Sequence, residues 1–265
     1  LKITPKEKIP KVLTIVHLAG YPCEQKKIFK LSKKYGFKIM EDASHALGTL
    51  NEKEPIGSCK WSDTCVLSFH PSKSITTGEG GMILTNNKKI YLDLMRLRNN
   101  GIEKQKLKHK KSFEGYYEIQ KLGYNFWLTD FQAALGISQL KKLDLFIKKR
   151  NKIAKIYDKH FSKMNLGIPI RNKKIISSYH LYILNLKNKY NYKKIFKKII
   201  DNNIQINLHY IPVHTHPYFR ENGFRLSQFP ESENYSKNCI SLPIYPDLTL
   251  SNQIKVIKTI KKILS

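Results

Sequence analysis

The sequence lacks the long apolar runs and the cysteine pairs that would point to a membrane protein or a secreted protein. No stretch approaches the roughly 18 consecutive apolar residues that a membrane-spanning helix needs, and the first residues contain no apolar segment of the signal-peptide type. The four cysteines, Cys23, Cys59, Cys65 and Cys239, form no C-x-x-C pair and no metal-type spacing. They are typical of ordinary thiols in a reducing compartment, so we expect a cytoplasmic location.

Acidic residues are also scarce. Twenty Asp and Glu against 48 Lys and Arg give a formal net charge of +28, a balance often found in nucleic-acid-binding proteins. The lysines are nevertheless spread over nearly every predicted helix, and the densest stretch, Lys104 to Lys111, has no interleaved aromatic residues for base stacking. No helix-turn-helix, RNP-type or zinc-finger pattern is present. We therefore expect no nucleic-acid partner, and we expect the basic surface to attract anionic, phosphorylated substrates.

The composition is globular, with 41% hydrophobic residues among 265, and the chain begins with alternating strand and helix patterns. Lys11 to His17 is a β-branched apolar run, a helix pattern from Cys23 to Tyr35 follows, and Phe37 to Glu41 is a second buried-strand run. Gly36 stands where a C-terminal helix cap belongs. This order predicts a βαβ unit of a parallel sheet with helices on its faces. Two further strands are predicted, Thr64 to Phe69 and Met82 to Thr85.

The remaining chain divides at a long helical pattern. A helix capped by Asn86 or Asn87 is predicted to run to Arg98, and the polar stretch from Asn99 to Lys121 predicts a loop. A helix from Thr129 to Phe161 follows, and because a helix of that length usually bridges two domains, we predict domains 1–145 and 146–265. The later predicted elements are a strand Leu181 to Leu186, a helix Tyr192 to Asp201, a strand Ile204 to His209 and a helix Leu250 to Leu264.

Asp42 is the first candidate site residue. It ends a buried strand within Glu-Asp-Ala-Ser-His-Ala-Leu-Gly, and ligands in open α/β sheets bind just beyond the carboxyl ends of the strands. An acid at this point, with His45 three residues on, can face a ligand while the strand anchors it. Asp42 could instead cap the next turn, and its position alone favours that role.

Lys73 is the second candidate, and its surroundings are unusual. The segment Ser-Phe-His-Pro-Ser-Lys-Ser-Ile-Thr-Thr-Gly-Glu-Gly-Gly, from Ser68 to Gly81, presents this lysine among small hydroxyl residues and glycines. Small residues let a ligand approach the backbone closely, and hydroxyls with backbone amides suit a phosphate. A lysine that is partly desolvated in such a site has a lowered pKa and can act as an amine nucleophile toward a carbonyl.

Together these segments resemble the DegT/DnrJ/EryC1/StrS family of sugar aminotransferases. A third segment adds to the resemblance, Gly123-Tyr124-Asn125-Phe126, which is followed by Leu128-Thr129-Asp130 and Gln132-Ala133-Ala134. The resemblance extends over essentially the whole chain, but the family's N-terminal part has no counterpart here. The chain is similar to family members that aminate a UDP-linked 4-keto sugar in pseudaminic acid synthesis, with glutamate as the amino donor.

The resemblance implies a role for each candidate residue. Lys73 matches the lysine that bears pyridoxal 5'-phosphate (PLP) and shuttles the proton during transamination. Asp42 matches the acid that pairs with the pyridine nitrogen of the cofactor, a general pattern for PLP enzymes. His45 matches the residue that stacks on the ring, and Ser68 a hydroxyl that binds the phosphate. Asn125 matches a phosphate ligand that is donated by the neighbouring subunit, which implies a homodimer with a shared active site.

The second predicted domain contributes a histidine-rich stretch. His209, Tyr210 and His214 match the family segment that reaches the substrate pocket, and His180 could approach the site or lie in the core. Three histidines at positions 209, 214 and 216 suggest metal binding, but the spacing fits no closed zinc site, and no nearby Cys or carboxylate completes one. We therefore expect no metal.

The resemblance implies a fold class as well as a reaction. We expect an α/β protein with the type I PLP-dependent aminotransferase fold. Residues 1–145 would be the C-terminal part of the large PLP-binding domain, with a mixed, mostly parallel sheet, and residues 146–265 a small α+β domain. The chain would be N-terminally truncated. The expected function is transamination of a nucleotide-linked 4-keto-6-deoxy sugar for cell-surface or flagellar glycans, without a membrane partner. The alternatives are an inactive fragment, a basic binding module and a sugar dehydratase of the same fold; the family's dehydratases replace the lysine that Lys73 matches.

Overall fold

A computed structural model describes residue 5 and residues 8–104, 113–187 and 190–264. The chain divides into two compact units. Unit 1 consists of the described residues of Leu1–Leu18, Pro22–Leu47 and Glu54–Lys142, and unit 2 of those of Ala19–Tyr21, Gly48–Lys53 and Leu143–Ser265. The sequence pattern does not indicate that the short segments Ala19–Tyr21 and Gly48–Lys53 belong to unit 2. The identification of the units with a large cofactor-binding domain and a small domain stays a prediction.

Eleven strands lie within the described residues. They are β1 (Val12–Val16), β2 (Lys38–Asp42), β3 (Leu50–Asn51), β4 (Glu54–Pro55), β5 (Thr64–Ser68), β6 (Gly81–Leu84), β7 (Ile102–Glu103), β8 (Glu118–Ile119), β9 (Ile175–Ile176), β10 (Tyr182–Asn185) and β11 (Cys239–Leu242).

The α-helices of the described residues number eight. They are α1 (Gln25–Tyr35), α2 (Lys88–Arg98), α3 (Asp130–Leu140), α4 (Leu143–Phe161), α5 (Tyr192–Asp201), α6 (Pro217–Glu221), α7 (Pro230–Ser236) and α8 (Leu250–Leu264). Single 3-10 turns cover Leu18–Gly20 and Val213–Thr215.

The main sheet of unit 1 has the strand order β1-β2-β5-β6. The first three strands are parallel and β6 runs antiparallel to β5. Asp42 is in register with Val16 on one side and Val66 on the other, so it lies at the edge where the parallel strands end. The predicted βαβ unit and the four predicted strands are thereby confirmed, with bounds shifted by one or two residues. Asn87 caps α2, as predicted, by accepting hydrogen bonds from the backbone N–H groups of Lys89 and Ile90.

Helix α1 shows why this part of the sequence folds as predicted. Its apolar residues Ile28 and Phe29 pack against the core residues Ile15, Phe37 and Ile39 on one face of the sheet. Gly36 ends the helix in the left-handed conformation, with φ of 81°, and its N–H donates to the carbonyl of Ser32. Glycine adopts this conformation without the steric cost of a Cβ atom.

Three predicted elements were wrong. The predicted helix from Thr129 to Phe161 is two helices, α3 and α4, which are interrupted at Lys141 and Lys142. The predicted loop from Asn99 to Lys121 contains the short antiparallel strands β7 and β8, although its residues 105–112 lie outside the described residues. The predicted strand from Ile204 to His209 forms only one isolated bridge, between Asn207 and Ser241 of β11, and within the described residues this pairing does not extend into a ladder.

The core of unit 2 surrounds the antiparallel pair β10 and β11. Residues from α4, α5 and α8 contribute fully buried side chains, among them Tyr157, Ile199 and Ile260. Helices α5 and α8 begin and end at the predicted residues. Both sequences repeat apolar residues at helical spacing, so each helix has one continuous face to bury.

Candidate active site

The carboxylate of Asp42 has one oxygen committed to the fold. Its Oδ1 accepts a hydrogen bond from the backbone N–H of Ser44 at 3.0 Å, so Asp42 does cap the turn that follows β2. Within the described part of the chain, Oδ2 accepts no hydrogen bond. Because Asp42 is half-buried at the carboxyl edge of the sheet, this second oxygen can accept a hydrogen bond from a ligand. The turn-capping role and the ligand-binding role are therefore compatible.

Lys73 lies in the lysine loop, the name used here for Phe69–Gly80 between β5 and β6. The backbone N–H of Lys73 donates to the carbonyl of His70, which places the lysine in a tight turn. Burial lowers the pKa of the Lys73 amine, and the negative charge of Asp42 partly opposes that shift. The carboxylate of Asp42 therefore lies within electrostatic range of the amine. The sequence analysis predicted that both residues belong to one site, and their roles toward a cofactor stay a prediction.

Ser68 and His45 lie at the same edge of the sheet. Ser68 ends β5, is half-buried, and its Oγ accepts a long hydrogen bond of 3.4 Å from the backbone N–H of His70. His45 belongs to the turn that follows Asp42 and is 7% exposed. The carboxyl ends of the adjacent parallel strands β2 and β5 thus bring Asp42, His45 and Ser68 to the side of the sheet where the lysine loop starts.

Asn125 also lies in unit 1, in an exposed segment that precedes α3. Its backbone forms an isolated bridge with Asn99, and the neighbouring N–H groups of Tyr124 and Phe126 donate to the carbonyls of Leu97 and Arg98. These bonds fix the segment to the end of α2 and leave the Asn125 side chain exposed. Nothing in this geometry makes Asn125 a ligand within its own chain.

The remaining predicted site residues lie in unit 2. Nδ1 of His209 is 2.8 Å from Oγ of Ser241 in β11, while Tyr210 is 52% exposed. His214 is 6% exposed, and its Nε2 is 2.9 Å from Oε1 of Glu233. This burial favours a structural role for His214 and leaves Tyr210 with the more accessible side chain. His180 is buried as well, 8% exposed.

A buried charged pair under the Asp42 edge was missed by the sequence reasoning. Nε2 of His17 lies 3.3 Å from Oε2 of Glu41, and the two side chains are 0% and 1% exposed. Gln25 donates a hydrogen bond of 2.8 Å to Oε1 of Glu41. Although burial alone raises the pKa of Glu41, its contacts with His17 and Gln25 lower that pKa below the usual value. Successive strand residues face opposite sides of a sheet, so Glu41 supports the sheet from beneath while Asp42 faces the site.

The described residues contain no group of three or more His, Cys, Asp or Glu side chains arranged to hold a metal ion. Among the same residues, no helix combines the length and the apolar character that a membrane crossing requires.

Solved structures of similar fold give the class of the protein. The Helicobacter pylori aminotransferase PseC, involved in the biosynthesis of pseudaminic acid, superimposes with a TM-score of 0.87 at 29% sequence identity and covers 98% of this chain. The match spans 69% of the PseC chain. The fold is therefore the type I fold of PLP-dependent aminotransferases, as the sequence predicted.

The family follows from the sequence comparisons. Residues 1–261 match the model of the DegT/DnrJ/EryC1/StrS aminotransferase family, and the chain belongs to that family. An uncharacterised protein of Methanocaldococcus jannaschii is 40% identical over 262 residues, or 96% of this chain and 67% of that one. The UDP-4-amino-4,6-dideoxy-N-acetyl-β-L-altrosamine transaminase of Campylobacter jejuni is 34% identical over 255 residues, or 95% of this chain and 65% of that one. The chain thus spans about two thirds of the length of these relatives.

The family comprises PLP-dependent sugar aminotransferases, and similar structures include one in a PLP form. The predicted family, enzyme class and cofactor are thereby confirmed. The residues present fit this cofactor. The half-buried amine of Lys73 has a lowered pKa, and the charge of Asp42 acts on it. The uncommitted Oδ2 of Asp42 could accept a hydrogen bond from a protonated ring nitrogen.

Proposed function

We propose that this chain binds PLP covalently through Lys73 and transfers an amino group from glutamate to a nucleotide-linked 4-keto-6-deoxy sugar. The observation that carries the proposal is the pairing of a half-buried lysine amine of lowered pKa with the carboxylate of Asp42. It occurs at the edge of the sheet where the parallel strands end, which is where α/β enzymes bind ligands. The family of the chain supplies the reaction class.

The chemistry of the proposed site rests on the protonation of two groups. Because the pKa of Lys73 is lowered, a larger fraction of its amine is unprotonated near neutral pH than in an exposed lysine. An unprotonated amine can attack a carbonyl and can later accept and return a proton. The carboxylate of Asp42 would hold the ring nitrogen protonated, and the bound cofactor then supplies an electron sink for the carbon that loses its proton. Ser68 would bind the phosphate, and His45 would stack on the ring.

The substrate is proposed from the relatives and from charge. A transaminase of a UDP-linked amino sugar and a structure from the pseudaminic acid pathway are both similar to this chain, which favours a nucleotide sugar of a cell-surface or flagellar glycan. The net charge of +28 suits a substrate that carries a diphosphate. His209 and Tyr210 are proposed substrate contacts, and His214 would support them from its buried position. The proposed location is the cytoplasm, where nucleotide sugars would be available.

We also propose that the enzyme acts as a homodimer, in which Asn125 binds the cofactor phosphate of the neighbouring subunit. Support comes from the apolar side chains around Asn125. Leu122 is 94% exposed and Phe131 is 91% exposed, and α3 contains no buried residue. Light scattering of the purified chain should give twice the monomer mass, and Phe131→Glu should lower it toward the monomer. A monomeric wild-type chain would contradict this part of the proposal.

The test of the proposed chemistry is reduction of the protein with borohydride in the presence of PLP, followed by peptide mapping. We expect the reduced cofactor on Lys73 and on no other lysine in stoichiometric amount. Lys73→Ala should lose both the label and amino transfer, while the matched variant Lys89→Ala, which removes an exposed lysine of α2, should keep both. Transamination by Lys73→Ala would refute the proposal. A wild-type chain without label would favour the inactive-fragment alternative.

A further inference from the structure

Helix α3 contacts the lysine loop at two points that lie one helical turn apart. Nε2 of Gln132 donates a hydrogen bond of 2.9 Å to the backbone carbonyl of Glu79. Gly136, four residues later and therefore on the same face of the helix, lies so close to the loop that a Cβ atom there would be 2.9 Å from Cγ2 of Thr77. Thr77 and Glu79 belong to the end of the lysine loop, six residues or fewer from Lys73.

The same end of the loop is tied together internally. Oγ1 of Thr77 donates a hydrogen bond of 2.7 Å to the Glu79 carbonyl, so this oxygen accepts from both Thr77 and Gln132 and uses both of its lone pairs. A Cβ atom at Gly80 would lie 2.4 Å from Oγ1 of Thr77, which leaves room only for glycine. The N–H of Phe69 donates to the carbonyl of Gly80, which closes the two ends of the loop.

Gln132 also takes part in the N-terminal cap of α3, and this second role uses its side-chain oxygen, whereas the bond to Glu79 uses its side-chain nitrogen. Its Oε1 accepts a hydrogen bond from the backbone N–H of Thr129 at 3.0 Å, and Oγ1 of Thr129 accepts from the N–H of Gln132. This pair is a capping box at the start of α3. Glutamate serves a capping box as well as glutamine does, because only the side-chain oxygen is needed. The bond to Glu79, in contrast, requires the N–H group that only glutamine has.

We propose that Gln132 and Gly136 are positioning residues that hold the lysine loop so that the Lys73 amine stays partly desolvated and within range of the Asp42 carboxylate. The inference rests on the proposed function of Lys73. Neither residue is required to touch substrate or cofactor. Their contacts fix the exit of the loop, while the His70–Lys73 turn and the closed ends transmit that placement to the amine. Small misplacements matter because a shift of about 1 Å in a reacting group can cost on the order of a hundredfold in rate.

The first test is Gln132→Glu, which keeps the oxygen of the capping box and removes the donor to Glu79. Cofactor-free protein is labelled with trace acetic anhydride at a series of pH values, and the acetylation of Lys73 is quantified by mass spectrometry relative to the exposed Lys155. We expect the midpoint of Lys73 labelling to move to higher pH in the variant, because a loosened loop hydrates the amine. The Lys155 profile should stay unchanged.

Activity gives a second readout. With the loaded enzyme, Gln132→Glu should lower kcat by about tenfold or more, the effect of a displacement of a fraction of 1 Å, while KM for glutamate changes less than about twofold. A change in KM alone would contradict a positioning role, since it would indicate lost binding and not a displaced amine.

The second variant crowds the lysine loop and leaves the hydrogen bond from Gln132 to Glu79 in place. Gly136→Ala raises the helix propensity of α3 but places a methyl group against Cγ2 of Thr77. It should shift the Lys73 labelling midpoint in the same direction as Gln132→Glu. Adding Thr77→Ser should restore the wild-type midpoint, because serine retains the hydroxyl that bonds Glu79 and lacks the crowding methyl group. No purely structural weakening of α3 predicts rescue by a substitution in the lysine loop.

The outcomes separate this inference from the proposed function. If Gln132→Glu and Gly136→Ala both give the wild-type labelling profile of Lys73, the inference is overturned whatever the enzyme does. If the wild-type chain is not labelled by PLP and borohydride at Lys73, the proposed function fails, but the acetylation profiles still report whether α3 sets the environment of the amine.

Discussion

Arg150, a buried cation of unit 2, gives a stability prediction whose size depends on two opposing effects. It lies on α4, is 5% exposed, and its Nη1 donates to backbone carbonyls. The acceptors are the carbonyl oxygens of Ile244 at 2.7 Å, Tyr179 at 3.0 Å and His180 at 3.4 Å. Only the first two distances fall in the usual range for N–H···O bonds. Replacing Arg150 by methionine keeps an unbranched side chain and removes both of these hydrogen bonds.

The magnitude follows from those two bonds and from the burial of the guanidinium. Hydrogen bonds from a charged donor contribute about 2–3 kcal/mol each, so their loss costs roughly 4–6 kcal/mol. The burial of the charge opposes this loss. Desolvation lowers the pKa of Arg150 from 12.5 to about 10, which corresponds to a desolvation cost of roughly 3 kcal/mol. Methionine is uncharged and would not have this cost. We therefore expect Arg150→Met to destabilise unit 2 by about 1–3 kcal/mol.

Hydrogen exchange measured by mass spectrometry is the suitable assay, because two units need not unfold together and exchange reports each of them separately. Amides of β10 and β11 should exchange faster by roughly fivefold to a hundredfold, the factor that corresponds to about 1–3 kcal/mol. Peptides of the unit 1 sheet should be unchanged and serve as the internal control. Equal or slower exchange in β10 and β11 would refute the reasoning, since the carbonyls would then have found other donors.

Two further predictions concern other buried side chains. The hydroxyl of Tyr157, whose side chain is fully buried, donates to the carbonyl of Pro243 at 2.8 Å. Tyr157→Phe should lower the stability of unit 2 by about 1 kcal/mol in the same exchange assay. The control variant Tyr218→Phe, at an exposed position, should leave that stability unchanged. Burial raises the pKa values of Cys59, Cys65 and Cys239, the last to about 11, which suppresses their reactive thiolates. An aromatic disulfide reagent at pH 8 should therefore modify only the half-buried Cys23 quickly and the other three thiols after denaturation; fast modification of Cys239 in the native protein would contradict this.

The parts of the fold that the sequence predicted correctly depend on interactions between residues close in the chain. Gly36 ends α1 because the left-handed conformation there favours glycine, and Asn87 caps α2 with its own side chain. The bounds of α5 and α8 follow from apolar residues at helical spacing. The break at Lys141 and Lys142 has no such signal, since neither glycine nor proline marks it and the apolar spacing continues across it.

The candidate site also contains features that the sequence predicted and features that it did not. The segments around Asp42 and Lys73 identified the family and the cofactor because their residue types are specific to this chemistry, and the family comparison agrees. The capping box of Thr129 and Gln132 is visible as a Thr-x-x-Gln pattern. The hydrogen bond from Gln132 to Glu79 is not visible in the sequence, because Glu79 lies 53 residues away. Nor does any local pattern indicate that His17 and Glu41 form a buried pair beneath the Asp42 edge.

By itself the sequence determined the reaction class and the local elements, since the residue types of the lysine segment and the spacing of apolar residues are properties of neighbouring positions. Only the tertiary structure decided which oxygen of Asp42 is left for a ligand, how α3 holds the lysine loop, and that Arg150 reaches the carbonyl of Ile244, 94 residues away. Such contacts depend on how separate segments pack against one another, and a periodic pattern within one segment carries no information about the segment it will meet.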